Sequence, residues 1–297
     1  MSTARDVKQR IKSVKNISQV TRALQAVSAS KVRKAIDKLE DTRPYSMKAW
    51  QVLQHIAGQP KREALHPLLT KPEKVDRLLV ILISGNRGLA GAYNTNIVHF
   101  ALRTYEDQDA EVKYVTVGEK GRDLIYRQGK DIYAEFNDIP ADPTYIDVTP
   151  IGRLAVDEFL AGDIDEVDLV YTQFVNRLRQ EPTVKKLLPL ETGKDERVKV
   201  FEGGAVYTGP YIYEPGQEEI LDKLLPRFTM MQVFHAVLES LASEHSARMV
   251  AMKNATDNAS DLADALQLKY NKARQQEITS EMLDIAGGAE AIAQQRE

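Results

Sequence analysis

RFTMMQVFHAVLESLASEHSARMVAMKNATDNASDLADALQLKYNKARQQEITSEMLDIA, residues 227–286, contains neither glycine nor proline. At about 1.5 Å per residue a helix over this stretch is ~90 Å long. Globular helices usually run roughly 8–20 residues, so this one cannot be an ordinary core element. Residues 1–43 also lack glycine and proline and read as helix. Between the two lies sequence rich in strand and turn signals. The expected architecture is a rod mounted on a globule, the kind of device that transmits force or mediates assembly.

The apolar pattern pairs the two ends. Val7, Ile11, Val14, Ile17 (with Ser18 beside it), Thr21, Leu24 and Ser28 recur at spacings of three and four. That is a narrow coiled-coil seam rather than the wide face of a core helix. Phe234, Leu238, Leu241, His245, Met249, Met252, Thr256, Ala259, Leu266, Tyr270 and Ala273 make a matching stripe. Ala251, Ala255, Ala259 and Ala263 stand four apart beside it, and small side chains let helix backbones approach closely. An antiparallel pair within one molecule is expected, and the pattern equally permits pairing between chains. The C-terminal helix is the longer, so residues 275–293 overhang. An isolated helix of that length is marginal in water, and Ile278, Met282, Ile285 and Ile292 would then need another protein's surface.

The middle opens on VDRLLVILIS, residues 75–84, apolar enough for a strand buried on both faces. GNRGLAGAYN follows, then helix over 95–106, strand over 112–117, helix over 119–128, helix over 151–160 and strand over 167–174. Alternating strands and helices predict a parallel, Rossmann-like sheet. The acidic patch Asp163, Asp165, Glu166 and Asp168 is read as loop and strand edge, and residues 181–214 resist assignment. The domains expected are a shaft helix at 1–58, an α/β foot at 75–215 and a second shaft helix at 216–297.

Composition narrows the chemistry. The chain has 297 residues, no cysteine and a net charge of −3. Disulfides, zinc-thiolate sites and thiol catalysis are therefore excluded, and the balance of apolar and charged residues is that of a soluble globular protein. No apolar run reaches the ~20 residues of a membrane helix. Residues 1–43 carry eleven basic and four acidic side chains, which suits an acidic partner, an anionic surface or a solvated face. Aromatic residues for base stacking are missing from that helix. Gly85, Gly88 and Gly91 lie between strand and helix, where phosphate loops occur, but their spacing is not the dinucleotide fingerprint. A tight structural turn is the expected reading. His55, His66, His99, His235 and His245 show no metal-ligand spacing. No nucleophile, base and orienter can be drawn together, so catalytic residues, cofactor and metal are all expected to be none. Two other functions remain open on this reading: a nucleotide-binding enzyme with a coiled-coil stem, and an adaptor whose basic arm binds nucleic acid.

ITSEMLDIAGGAEA, residues 278–291, closely resembles the C-terminal signature of the gamma subunit of F-type ATP synthases. NISQVTRALQAVSASKVRKA (16–35), SGNRGLAGAYN (84–94) and LASEHSARMVAMKNATDNASDL with LQLKYNKARQQEIT are similar to three further motifs of that family, in the same order. Asn86 and Ala90 depart from it, standing where many members have Asp and Cys, and the cysteine-bearing chloroplast insertion is absent. The resemblance implies a long antiparallel coiled coil plus a Rossmann-like α/β domain, in the bacterial form, peripheral on the cytoplasmic face of the cell membrane. It implies one copy per complex, with alpha and beta subunits, epsilon and a membrane c ring as partners, and no nucleic acid. By position in the motifs, Leu24, Arg248, Gln275 and Thr279 are expected to meet the alpha–beta hexamer, and Tyr211 and Glu214 the c ring. Catalysis is expected to belong to the hexamer.

Overall fold

The computed structural model describes residues 4–57, 66–190 and 216–294. In chain order the elements are α1 (Ala4–Ala57), a 3-10 turn (Pro67–Leu69), β1 (Arg77–Ile83), α2 (Tyr93–Thr104), β2 (Glu111–Val117), α3 (Glu119–Arg127), β3 (Ile132–Phe136), α4 (Tyr145–Ala161), β4 (Glu166–Phe174), β5 (Gln180–Leu188) and α5 (Gln217–Gln294). The chain divides into two compact units, one formed by residues 1–27 and 249–297, the other by residues 28–248. Both long helices run through a proline, Pro44 in α1 and Pro226 in α5. The helix survives because Glu40 and Asp222, whose carbonyls lose their N–H partner, are exposed and water can replace the bond.

The first unit is the expected antiparallel pair. Ala4 N–H, at the start of α1, donates to Glu277 Oε1 at 3.0 Å. Further along, the hydroxyls of Thr21 and Thr256 meet at 2.7 Å. As one helix ascends the other descends, and Ala4, Val7, Ile11, Thr21, Met252, Thr256, Ala259 and Ala263 are buried. One seam residue differs from expectation. Ile17 is 54% exposed, and Ser18 beside it is the half-buried one. The a/d spacing holds through Ser18 where apolarity alone favours Ile17.

In the second unit a five-stranded sheet has the order β3-β2-β1-β4-β5. The first four strands are parallel and β5 returns antiparallel on β4. The expectation of a parallel sheet is thus met with an antiparallel edge added, from within the segment left unassigned. Odd-numbered residues of β1 and β4, Leu79, Ile81, Leu169 and Tyr171, share a core with α4 and with Leu53, Phe228 and Phe234 of the long helices. Even-numbered Leu78, Val80, Leu82 and Val170 pack on Ile97, Ala101 and Ile125 of α2 and α3. Helices cover both faces, which is why β1 reads as an unbroken apolar run. In this unit Trp50 stacks on Phe228 with ring centroids 5.5 Å apart. Asp168 is not at a strand edge. It is 6% exposed within β4 and accepts a 2.7 Å bond from Tyr105 OH, and burial with that carboxylate nearby pushes the Tyr105 phenol far up. Asp165 does lie at the strand's entrance, taking a bidentate pair from Arg77 at 2.8 and 3.3 Å.

Candidate functional site

In open α/β sheets ligands bind beyond the carboxyl ends of the strands, where the strand order reverses. That point here lies between β1 and β4, and α5 fills it. Ser240 Oγ accepts from Thr172 N–H at 3.3 Å, and Ser243 Oγ donates to Thr172 C=O at 3.1 Å. Both bonds satisfy β4 backbone just past its last pairing with β1, at Val170. Tyr93, at the start of α2, donates its OH to Ser240 C=O at 3.1 Å. Burial next to Glu244 pushes that phenol far up, so it stays a donor. The crevice that would receive a nucleotide is occupied by protein.

The glycine loop is shaped to the same helix. A Cβ on Gly85 would sit 2.8 Å from Glu244 Cδ, so a side chain there would displace the carboxylate. Gly85 N–H donates to Asn94 Oδ1 at 2.9 Å, and Asn86 bridges Asn137 C=O at 2.9 Å and Glu119 N–H at 3.1 Å. Leu89 and Gly91 both have left-handed backbone, φ 63° and 59°. Glycine adopts that conformation freely and leucine does not. The loop is therefore a structural turn around α5, as the spacing of its glycines indicated.

Arg248 is turned into this turn. It is 9% exposed, ion-paired with Glu244. Its Nε and Nη2 donate to Gly88 C=O at 3.3 and 3.2 Å, and Nη2 also reaches Arg87 C=O at 3.3 Å. His245 Nδ1 lies 3.0 Å from Arg248 Nη1 and must accept there, because guanidinium nitrogens only donate. Burial, with Arg248 and Lys31 nearby, lowers the His245 pKa to about 3. The structure thus groups Arg248 with a loop and a glutamate that the sequence reading did not connect to it. The available signal was the i,i+4 spacing of Glu244 and Arg248 with a glycine-rich loop elsewhere.

The other expected contact residues lie in the first unit. Leu24 is half-buried, while Gln275 and Thr279 are exposed on α5, joined by a 2.9 Å bond from Thr279 Oγ1 to Gln275 C=O. Beyond Glu277, where α1 is met, Ile278, Met282, Leu283 and Ile285 are 45%, 66%, 67% and 70% exposed. Tyr211 and Glu214, and with Ile292 the side chains past residue 287, lie outside what is described. Among the described residues no group of His, Asp or Glu could hold a metal ion. No described helix is long and apolar enough to cross a membrane.

Comparison with known proteins decides the family. A family model described as ATP synthase matches residues 3–292. The ATP synthase gamma chain of Dehalococcoides mccartyi is 44% identical over 294 residues, covering 99% of this chain and 100% of the relative. The chain belongs to the ATP synthase gamma chain family. The Roseiflexus sp. gamma chain is 41% identical over 297 residues, at 99% and 100% coverage. Among solved structures, a chain of the Euglena gracilis mitochondrial ATP synthase OSCP/F1/c-ring assembly superposes with a TM-score of 0.67 at 20% identity, over 99% of this chain and 96% of that one. A Tetrahymena thermophila chain from a central stalk and c-ring structure gives 0.61 at 23%, over 80% and 99%; both share the fold. As a gamma chain, the protein is a rotor subunit of an F-type ATP synthase.

Proposed function

We propose that this rotor couples rotation of a membrane c ring to ATP synthesis or hydrolysis in an alpha–beta hexamer, and that it holds no catalytic site of its own. The observation that carries the reading is the exposed apolar end of α5. Ile278, Met282, Leu283 and Ile285 continue past the hydrogen bond between Ala4 and Glu277, and a helix end with such a face needs a surrounding apolar sleeve. Gln275 and Thr279, exposed in the same stretch, and Leu24 on α1 are the proposed contacts to the hexamer. Arg248 serves that contact indirectly, by holding the loop of residues 84–94. Tyr211 and Glu214 are assigned to the c ring from the motif alone. Epsilon sits beside the α/β unit. One copy serves each complex, peripheral on the cytoplasmic face of a bacterial membrane. The basic N-terminal half of α1 suits acidic segments of beta.

Coupling follows from symmetry. Three identical beta sites around a threefold axis would behave alike. A single helix pair without that symmetry touches each differently. A site's affinity changes only as far as the contacts differ between its states, and a tenfold change needs about 1.4 kcal/mol. Rotation therefore passes each site through tight and open states, and hydrolysis must drive rotation in return.

The test is purification of the complex from membranes with this chain tagged. Alpha, beta and this chain are expected in a ratio of three to three to one, and the variant Met282→Asp/Ile285→Asp should release alpha and beta. Retention of the hexamer by that variant would show that the exposed end is not the contact.

A further inference from the structure

We infer that Glu244 is a positioning residue for coupling: acting through Arg248, it fixes the loop tip at Arg87, Gly88 and Leu89. This rests on the rotor reading above; the motif at residues 241–262 contains Glu244 without assigning it a role. The loop is anchored at its base by Asn86 and Asn94 side chains. The tip beyond them is exposed, with Leu89 66% exposed and in left-handed backbone. Its backbone is held by Arg248, through the carbonyls of Arg87 and Gly88, and by a long 3.4 Å bond from Asn94 Nδ2 to Arg87 C=O.

A guanidinium can grip two carbonyls only if its own fork is fixed. Glu244, buried on the previous turn of α5, supplies the acceptor on one side, and His245 Nδ1 the acceptor on the other. Glu244 in turn lies against the bare Cα of Gly85. Glycine at 85, the carboxylate at 244, the guanidinium at 248 and the tip carbonyls therefore form one chain of contacts. An exposed leucine in a conformation leucine rarely adopts does not persist without such support. Coupling demands a tip that does not yield under load, and Glu244 is the residue that sets its stiffness.

The experiment uses the full chain and the assembled complex. In the purified chain, trypsin cleavage of the Arg87–Gly88 bond is followed by mass spectrometry, since cleavage reports how often the tip opens. Glu244→Ala should accelerate that cut about tenfold or more. Glu244→Gln, which keeps an acceptor oxygen, should fall between. Gly85→Ala should accelerate it in the wild-type background and add little to Glu244→Ala, because both break the same chain of contacts. In the complex, Glu244→Ala should lower the protons moved per ATP hydrolysed while hydrolysis continues, with Glu244→Gln partly restoring the ratio. Unchanged cleavage at Arg87 in both Glu244 variants would overturn the inference, as would a loosened tip with an unaltered proton-to-ATP ratio. If Glu244→Ala does not fold, Glu244→Gln and Gly85→Ala decide alone. The cleavage assay needs no partner, so it separates failure of this inference from failure of the rotor reading.

Discussion

Three histidines whose pKa values are lowered by burial, His66, His235 and His245, make stability pH-dependent. His235 Nε2 sits 2.8 Å from Thr42 Oγ1 and 3.1 Å from Ser46 Oγ, and burial, with Lys185 nearby, lowers its pKa to about 4. His245 is lowered to about 3 by burial, with Arg248 beside it. Unfolding restores both to the ordinary 6.5, so below that pH the unfolded chain binds more protons than the folded one. Their contribution is complete above about pH 6.5 and is lost as pH falls toward 4 and then 3, at roughly 1.4 kcal/mol per pH unit for each. Tm should fall steeply between about pH 6.5 and 5, and His235→Gln should make the slope shallower. A slope indifferent to that change would contradict the assignment. The Thr21–Thr256 contact gives a second residue-scale expectation. Each hydroxyl also has a carbonyl on its own helix, Ile17 at 3.1 Å and Met252 at 2.8 Å, so Thr256→Val should cost only about 1 kcal/mol. Replacing both threonines with valine should cost no more than the single change, read as Tm. The pair's larger value is in register, since a polar contact in an apolar seam penalises slipped alignments.

At the scale of elements, β1 and β4 were legible because strands covered on both faces must be apolar throughout. The short β3 and the edge strand β5 were not. β5 carries Pro182, Lys185 and Lys186, residues that suit an antiparallel edge and read as loop from sequence alone. Asp168 was misplaced for a related reason: an aspartate in a central strand is rare unless a partner such as Tyr105 is buried with it, and that partner is sixty-three positions away. The coiled-coil seam was legible from its spacing to within one residue, but the crossing of α4 and α5 was not. There a Cβ on Gly152 would lie 2.9 Å from Met230 Cγ and 3.0 Å from its Cα. Because backbone cannot move aside as a side chain can, Gly152→Ala should destabilise by about 1–3 kcal/mol. An unchanged denaturant midpoint would mean the helices can separate freely at this point.

At the scale of the molecule, the family was legible because four motifs stand in one order, while the site was legible only in part. Gln275 and Thr279 were found as exposed positions, whereas Arg248 faces inward onto a loop about 160 residues earlier in the chain, a contact no local pattern announces. What fills the switch point of the sheet is equally hidden from sequence: α5 occupies the crevice a nucleotide would take, bonding the β4 backbone through Ser240 and Ser243. The absence of cysteine from all 297 residues provides the means to test the central claim. Leu178, 83% exposed at the tip of the β4–β5 hairpin, can be changed to cysteine as a single labelling point. With alpha and beta fixed to a surface and a bead on that cysteine, added ATP should turn the bead in one direction with three pauses per revolution. A bead that stays still while the same complexes hydrolyse ATP would contradict the account.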